Sequence, residues 1–105
     1  MRQMYVIPMP KFKPVIADLS EQEDGTWRIS RINVPEKYRT LGHGAKILDM
    51  ILIDADKEGV TLTLEPVATG RPGVGLSQAQ LVKWYERHGF KWHESKRFMY
   101  RWPRQ

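Results

Sequence analysis

The sequence contains no cysteine among its 105 residues. This absence excludes a disulfide scaffold, a zinc ribbon and a thiol nucleophile, and it suits a cytoplasmic protein. No apolar run approaches the roughly 18–20 residues that a membrane span requires, and the N-terminus lacks the hydrophobic segment of a signal peptide. We therefore expect a cytoplasmic protein without membrane association, and we predict no metal site.

Acidic residues are the minority among the charged ones. The chain has 17 Lys and Arg against 12 Asp and Glu, which gives a formal net charge of +5. This excess favours an anionic partner such as nucleic acid, an acidic protein surface or a phosphorylated cofactor, without choosing among them. With 41% hydrophobic and 28% charged residues, the chain is typical of a globular protein, and its length predicts a single domain over residues 1–105.

The first third of the chain has the pattern of short antiparallel strands. A short edge strand is predicted at residues 4–7, before a proline-rich connection, and a second strand at residues 15–19. The dipeptide Asp24-Gly25 then predicts a hairpin turn. The apolar positions of the third strand, residues 26–34, change phase after Ile29. That change indicates either a β-bulge that splays the backbone or a different register.

The rest of the chain alternates helices and strands. A helical period covers residues 44–58 and stops at Gly59, and a strand rich in branched residues follows at 60–67. Ser77 and Gln80 form a capping box before a second helix that ends at Gly89. Residues 90–102 are extended and predict one or two strands. The fold class is therefore α+β with a mixed sheet, in the order antiparallel strands and then β-α-β-α-β.

A glycine-containing loop, residues 39–44, lies between the third strand and the first helix. Gly42 and Gly44 allow close backbone approach to a ligand, the helix N-terminus attracts phosphate, and Arg39 adds positive charge. The spacing is neither a Walker loop nor a dinucleotide fingerprint. On spacing alone, a loop with two glycines is more often a plain turn than a ligand site.

Three segments taken together resemble the GNAT acetyltransferase superfamily. Residues 34–45 resemble its Arg/Gln-x-x-Gly-x-Gly/Ala motif, Leu64-Glu65 matches the end of its Leu-Glu-Val strand, and residues 84–90 (WYERHGF) resemble its Tyr-x-x-x-Gly-Phe motif. The resemblance covers residues 27–102 and extends to the small, truncated GNAT proteins of bacteriophages. It implies a minimal GNAT fold with a splayed central strand pair, and acetyl transfer from acetyl-CoA to an amine.

The resemblance also implies which residues bind acetyl-CoA. The loop and first helical turn would hold the pyrophosphate, the preceding strand would pair with the pantetheine arm, and Gln78 replaces an asparagine that is common before the second helix. The implied cofactor-binding residues are Ile32, Asn33, Val34, Arg39, Thr40, Leu41, Gly42, His43, Gly44, Ala45 and Gln78.

Two residues are implied to be catalytic. Tyr85 matches the tyrosine that protonates the leaving thiolate, although its place on the inner helix face also suits a core residue. Glu65 matches a glutamate that serves as general base in a ribosomal-protein alanine acetyltransferase branch, or it is a solvated charge at a strand end. In the histone-acetylating branch the base position falls at Arg28, which cannot serve. His88 and His93 are the fallback bases.

The elements that usually shape the acceptor site in this family are reduced in this sequence. The strand and two helices that usually precede the central hairpin are nearly absent, which implies a macromolecular acceptor, expected to be a protein amine, or a partner chain that completes the site. The chain is expected to be a monomer or homodimer. Two other functions stay open: a GNAT-fold interaction or inhibitor module, and a basic nucleic-acid-binding domain. The nucleic-acid-binding function rests on the C-terminal residues Arg97, Arg101, Trp102 and Arg104. These residues form either a basic-aromatic tail that binds nucleic acid or a plain final strand.

Overall fold

The computed structural model describes residues 2–10, 13–35, 42–68, 76–93 and 95–104, which form one mixed sheet and two helices. The sheet has six strands in the order β1-β2-β3-β4-β6-β5. The strands are β1 (Arg2–Ile7), β2 (Val15–Glu21), β3 (Trp27–Asn33), β4 (Leu62–Leu64), β5 (Lys91–His93) and β6 (Ser95–Arg101), and the helices are α1 (His43–Glu58) and α2 (Gln78–Arg87). This architecture confirms the predicted α+β class with a mixed sheet.

The hairpin between β2 and β3 forms where the Asp-Gly dipeptide predicts it. Gly25 adopts a left-handed conformation with φ of 86°. The Asp24 carboxylate accepts hydrogen bonds from the Thr26 backbone N–H at 3.0 Å and from its hydroxyl at 2.7 Å. These bonds stabilise the carboxylate and lower the pKa of Asp24. The turn is thus determined by short-range chemistry.

The phase change in β3 is a β-bulge at Ser30. Asp18 pairs with Arg31, whereas the next residue of β2, Leu19, pairs with Ile29, so that Ser30 is the extra residue. Beyond the bulge, Ile32 pairs with Ala17, which is fully buried. Because paired residues share a face of the sheet, the bulge keeps the apolar side chains on both sides of it directed to the core.

Helix α1 packs its apolar face on the first three strands. Its buried residues, at helical spacing, are Ile47, Leu48, Ile51, Leu52 and Ala55. Gly59 ends the helix in a left-handed conformation with φ of 67°. The predicted helix at 44–58 is therefore confirmed, with its start one residue earlier.

The strand predicted at residues 60–67 is much shorter in the structure, where β4 spans Leu62–Leu64. Pro66 lacks the N–H that would continue the ladder. The Gln78 side chain also binds this segment, because its amide nitrogen donates to the Pro66 carbonyl at 2.6 Å and its oxygen accepts from the Ala68 N–H at 2.8 Å. The chain is thereby drawn out of the sheet toward the start of α2.

Both helices pack on the same face of the sheet. Tyr85 of α2 belongs to the same buried core cluster as the apolar face of α1 and the inward side chains of the central strands. Asp18 and Thr63 are also buried, but they alternate with core residues and point to the opposite face. No helix of the described residues covers that opposite face, which we call the open face. Within the same ranges, no helix is long and apolar enough to span a membrane.

Candidate functional site

The N-terminus of α1 presents backbone donors to its surroundings. Gly42 is the N-cap residue, with φ of 83°, and no side chain of the described residues caps it. The Lys46 N–H donates to the Gly42 carbonyl at 3.0 Å, so the N–H groups of Gly44 and Ala45 precede the first hydrogen bond of the helix and have no acceptor within it. Together with the positive end of the helix dipole, they suit an anionic group.

Gly44 lies at the junction of β3, α1 and α2. A methyl group at this position would lie 3.5 Å from Val34 Cγ2 and 3.6 Å from Trp84 Cζ2. These are ordinary van der Waals distances, so the three elements meet closely without strain. The contact places the first turn of α1 directly beside the end of β3.

Strands β3 and β4 separate next to this junction. Within the described residues, they pair at two positions, Trp27 with Leu62 and Arg28 with Thr63. β3 then continues to Asn33, whereas β4 ends at Leu64. The edge of residues 29–33 that faces β4 is therefore left outside the β3–β4 ladder, and this separation is the central splay that the resemblance implies.

The structure brings most of the predicted cofactor-binding residues together at this junction. Ile32 and Asn33 lie on β3, Val34 lies beside Gly44 with Cγ2 3.5 Å from the place of a Gly44 methyl group, and the first turn of α1 follows Gly42. Arg39, Thr40 and Leu41 lie outside the described residues. Gln78 lies at the start of α2, with both ends of its amide bonded to the segment that leaves β4.

Tyr85 is a buried residue of α2. Its ring packs edge-on against Phe90, with centroids 5.5 Å apart, and against Trp84 at 5.0 Å. Burial raises the pKa of Tyr85 to about 12, because the low-dielectric surroundings disfavour the phenolate. The phenol therefore keeps its proton at physiological pH, as a proton donor requires.

Glu65 directly follows β4 and forms an ion pair. Its Oε2 accepts a hydrogen bond from Arg97 Nε at 3.1 Å, and 42% of its side chain is exposed. Sequence reasoning missed this partner, since 32 positions separate the two residues and no local pattern joins them. The structure brings the carboxylate to the β4 end of the splay, on the solvent-accessible side.

The two histidines considered as fallback bases have other neighbours. His88 Nδ1 lies 2.8 Å from the Trp84 carbonyl oxygen. His93 packs edge-on against Tyr100 and Trp102 on the open face. Neither contact involves the α1 N-terminus or Glu65.

The predicted basic-aromatic tail divides between two environments. Arg101 is 4% exposed and pairs with Asp56 of α1, so it stabilises the interior and is not available to a ligand. This corrects the prediction for that residue. Arg97 and Trp102 remain exposed. The described residues contain no group of three or more potential metal ligands.

The fold matches solved structures over nearly its whole length. The anti-CRISPR protein AcrVA5 has 21% identity and a TM-score of 0.69, with 92% of this chain and 96% of that chain covered. An acetyltransferase of the GNAT family from Staphylococcus aureus Mu50 has 16% identity and a TM-score of 0.71, over 98% and 68% of the two chains. The chain has the GNAT acetyltransferase fold.

A third match supports the same GNAT fold. The ribosomal-protein-S18-alanine N-acetyltransferase from Escherichia coli has 18% identity and a TM-score of 0.72, over 99% of this chain and 70% of that one. No protein-family model matches the sequence, and no curated protein matches it either. The resemblance carried by the three short motifs is thus confirmed at the level of the GNAT fold.

Proposed function

We propose that the protein is an N-acetyltransferase that moves the acetyl group of acetyl-CoA to a primary amine of a protein. One observation carries the proposal: the N-terminus of α1 meets the splay between β3 and β4 at the Gly44–Val34 contact. An anion site and an open strand edge thereby adjoin each other, which is what a long cofactor with a diphosphate and an amide-bearing arm requires.

The residues at this junction fit acetyl-CoA chemically. The first turn of α1 would bind the pyrophosphate, because the N–H groups of Gly44 and Ala45 have no intrahelical acceptor and the turn carries the positive end of the dipole. The β3 edge at residues 29–33 would pair with the amides of the pantetheine arm, as an added strand does. When bound, the cofactor supplies an activated acetyl group as a thioester.

Tyr85 would act as the general acid. Transfer of the acetyl group to an amine nitrogen would break the carbon–sulfur bond of the thioester, and the departing sulfur would need a proton. The phenol of Tyr85, held protonated by its burial, would supply that proton. Its position on the inner face of α2 next to Trp84, which contacts Gly44, supports the assignment.

Glu65 would act as the general base. An ammonium group must lose a proton before its nitrogen attacks, and the Glu65 carboxylate at the end of β4 would accept it, directly or through water. Arg97 orients this carboxylate by its hydrogen bond to Oε2. The solvent-accessible position of Glu65 leaves room for a macromolecular acceptor, and one relative with this fold acts on an alanine of a ribosomal protein.

Cofactor binding is tested first. Calorimetry with acetyl-CoA and with free CoA, together with thermal melting, should show saturable binding and stabilisation by about 2.7 kcal/mol at 100-fold over the dissociation constant. The acceptor is then sought by incubating the proteins of a cell lysate with this protein and acetyl-CoA. Intact mass spectrometry identifies the acceptor as the protein whose mass increases by one acetyl group. Binding without acetylation would instead favour an interaction or inhibitor module, and no binding would contradict the proposal.

The role of Glu65 is tested with Glu65→Gln. The variant should keep its acetyl-CoA affinity but lose turnover most at low pH, where the acceptor amine is protonated. Glu58→Gln, which removes the same charge at the C-terminal end of α1, is the matched control and should be unaffected. A pH–rate profile unchanged in Glu65→Gln would show that solvent or another group takes the proton.

A further inference from the structure

A row of side chains crosses the open face from β2 to β5. In register, Ser20 pairs with Arg28, Arg28 with Thr63, Thr63 with Tyr100, and Tyr100 with Lys91. Because residues paired across strands lie on the same face, these five side chains share the open face. The row therefore places cations and an aromatic ring side by side on a sheet surface that no described helix covers.

Further aromatic rings adjoin this row on β5 and β6. The Phe98 ring contacts two guanidinium groups, with Arg28 Cζ 4.4 Å and Arg97 Cζ 5.0 Å from its centroid. The Tyr100 ring stacks on Trp102 at 6.1 Å with an interplanar angle of 29°, and His93 packs edge-on against both. Trp102 is 48% exposed. We call this set the ring surface, and it consists of Arg28, Lys91, His93, Arg97, Phe98, Tyr100 and Trp102.

The charge balance of the ring surface is positive. Asp18 and Glu65 are ion-paired with Arg31 and Arg97, so each of these carboxylates is offset by a guanidinium. Lys91 adds a further cation, and so does Arg28, whose charge also acts on the Asp24 carboxylate. Among the described residues, the buried Arg28 Nε has no hydrogen-bond partner, so this donor side of the guanidinium is not held by a carboxylate. The net charge of the whole chain, these groups included, is +5.

We infer that the ring surface binds single-stranded nucleic acid. Rings that are exposed or partly exposed and lie among cations on an open sheet suit such a strand, because bases stack on aromatic faces while phosphates are neutralised by arginine and lysine. Trp102 and Tyr100 would stack bases, and Lys91 and Arg28 would contact phosphates. An acidic protein would pair with the cations, but it would supply no bases to stack on the aromatic rings. This inference goes beyond the proposed acetyl transfer and does not depend on it.

Direct binding is measured by fluorescence anisotropy of the full chain. The probes are fluorescein-labelled dT20 and U20, which distinguish DNA from RNA, at about 50 and 200 mM salt. We expect saturable binding to at least one of them at 50 mM and a steep loss at 200 mM. Unlabelled poly-glutamate is the competitor, and it should displace the strand poorly. No binding at 50 mM, or equal displacement by poly-glutamate, would overturn the inference.

Variants locate the binding on the ring surface. Trp102→Ala should weaken binding at least about fivefold, the lower end for the loss of one stacked base, whereas Trp102→Phe should retain most of the affinity. Lys91→Gln should reduce the salt slope by about 0.7, as expected for one lost phosphate contact on a single strand. Lys57→Gln removes the same charge from the C-terminal part of α1 and should change the affinity less than twofold.

These variants also separate the inference from the proposed acetyl transfer. Acetyl-CoA affinity, measured on the same preparations, should be unchanged in Lys91→Gln and Trp102→Ala, and an unchanged melting temperature verifies that both variants fold. If Trp102→Ala fails to fold, the salt slopes of Lys91→Gln and Lys57→Gln still test whether the ring surface is the binding site. Equal salt slopes for those two variants, or equal affinity for Trp102→Ala and the parent protein, would exclude the ring surface as the binding site.

Discussion

Arg101 on β6 and Asp56 on α1 form a bidentate ion pair. Nη1 donates to Oδ1 at 2.7 Å and Nη2 donates to Oδ2 at 3.0 Å. Arg101 Nε also donates to the His88 carbonyl at 3.1 Å, just beyond α2, and the Arg104 N–H donates to the same Asp56 carboxylate at 2.9 Å. One guanidinium thus joins both helices to β6, and it positions the end of α2 that carries Tyr85.

Asp56→Asn should lower the free energy of unfolding at pH 7 by about 1.5–3 kcal/mol, as expected for a lost charged hydrogen bond at a partly buried site. The hydrogen bond to Arg101 lowers the pKa of Asp56. The pair therefore contributes fully above the ordinary aspartate pKa of about 3.9, and its contribution is lost as pH falls through the lowered pKa. Urea denaturation at pH 7 and pH 3 measures the free energy of unfolding of both proteins. The difference between Asp56→Asn and the parent should be smaller at pH 3. Asp49→Asn, at an exposed position of α1, is the control, and equal effects of the two variants would contradict the prediction.

Gly42 and Gly44 should respond to alanine in opposite ways. Gly44→Ala places its methyl group at ordinary contact distances and should raise stability by up to about 1 kcal/mol through helix propensity, with acetyl-CoA affinity changed less than twofold. Gly42→Ala forces a side chain into a φ of 83° and should cost about 1–2 kcal/mol. It should also weaken acetyl-CoA binding, because the backbone before α1 must shift. Urea denaturation and calorimetry on both variants test the pair, and unchanged affinity in Gly42→Ala would locate the pyrophosphate elsewhere.

Tyr85→Phe should lower turnover by roughly 10²-fold, the low end for a positioned general acid. The ring contacts with Phe90 and Trp84 are kept, so stability should fall little and acetyl-CoA affinity should change less than threefold. Because the pKa of Tyr85 is raised to about 12, the phenol stays protonated, and turnover of the parent should show no loss from Tyr85 ionisation below about pH 10. Steady-state acetylation of a confirmed acceptor measures both effects, with Tyr100→Phe as control. Full activity of Tyr85→Phe would leave Tyr85 as a core residue.

Gln78→Ala should lower stability by about 1–2 kcal/mol, because it removes the hydrogen bonds to Pro66 and Ala68. If Gln78 also binds the cofactor, as the resemblance implies, acetyl-CoA affinity should fall as well. Gln80→Ala is the matched control, since it removes the reciprocal capping-box bond of the same helix at a similar cost. Calorimetry that gives equal affinities for the two variants would restrict Gln78 to a structural role.

Features determined by short-range chemistry could be predicted from the sequence. The capping box of Ser77 and Gln80 forms as its spacing indicates, and Gly59 ends α1 where the apolar period stops. The bulge at Ser30 was visible as a change of phase in the apolar residues between Ile29 and Ile32. Successive residues of a strand alternate between its two faces, so one extra residue shifts the core-facing positions by one in the sequence. Each of these features depends on residues close together in the chain.

Features that depend on distant residues could not be predicted in the same way. The partners Arg101 and Asp56 are separated by 45 positions, and Glu65 and Arg97 by 32, so neither pair has a local signature. The length of β4 was overestimated because Gln78, a residue of the next helix, binds the chain after Leu64. The proposed cofactor site rests on the resemblance of short motifs, since two glycines before a helix are more often a plain turn.

The bulge at Ser30 makes β3 one residue longer than the segment of β2 that it pairs with. Ser30 has no partner position on β2, so its deletion would leave Arg31 opposite Asp18 and Ile32 opposite Ala17, with the direction of every later side chain unchanged. Regular pairing that kept Ser30 would instead place Ser30 opposite Asp18 and turn Ile32 toward the open face and Arg31 toward the helices. Ser30 therefore acts as a spacer of one residue, and a deletion of this one codon should be tolerated better than a deletion at a paired position of the same strand.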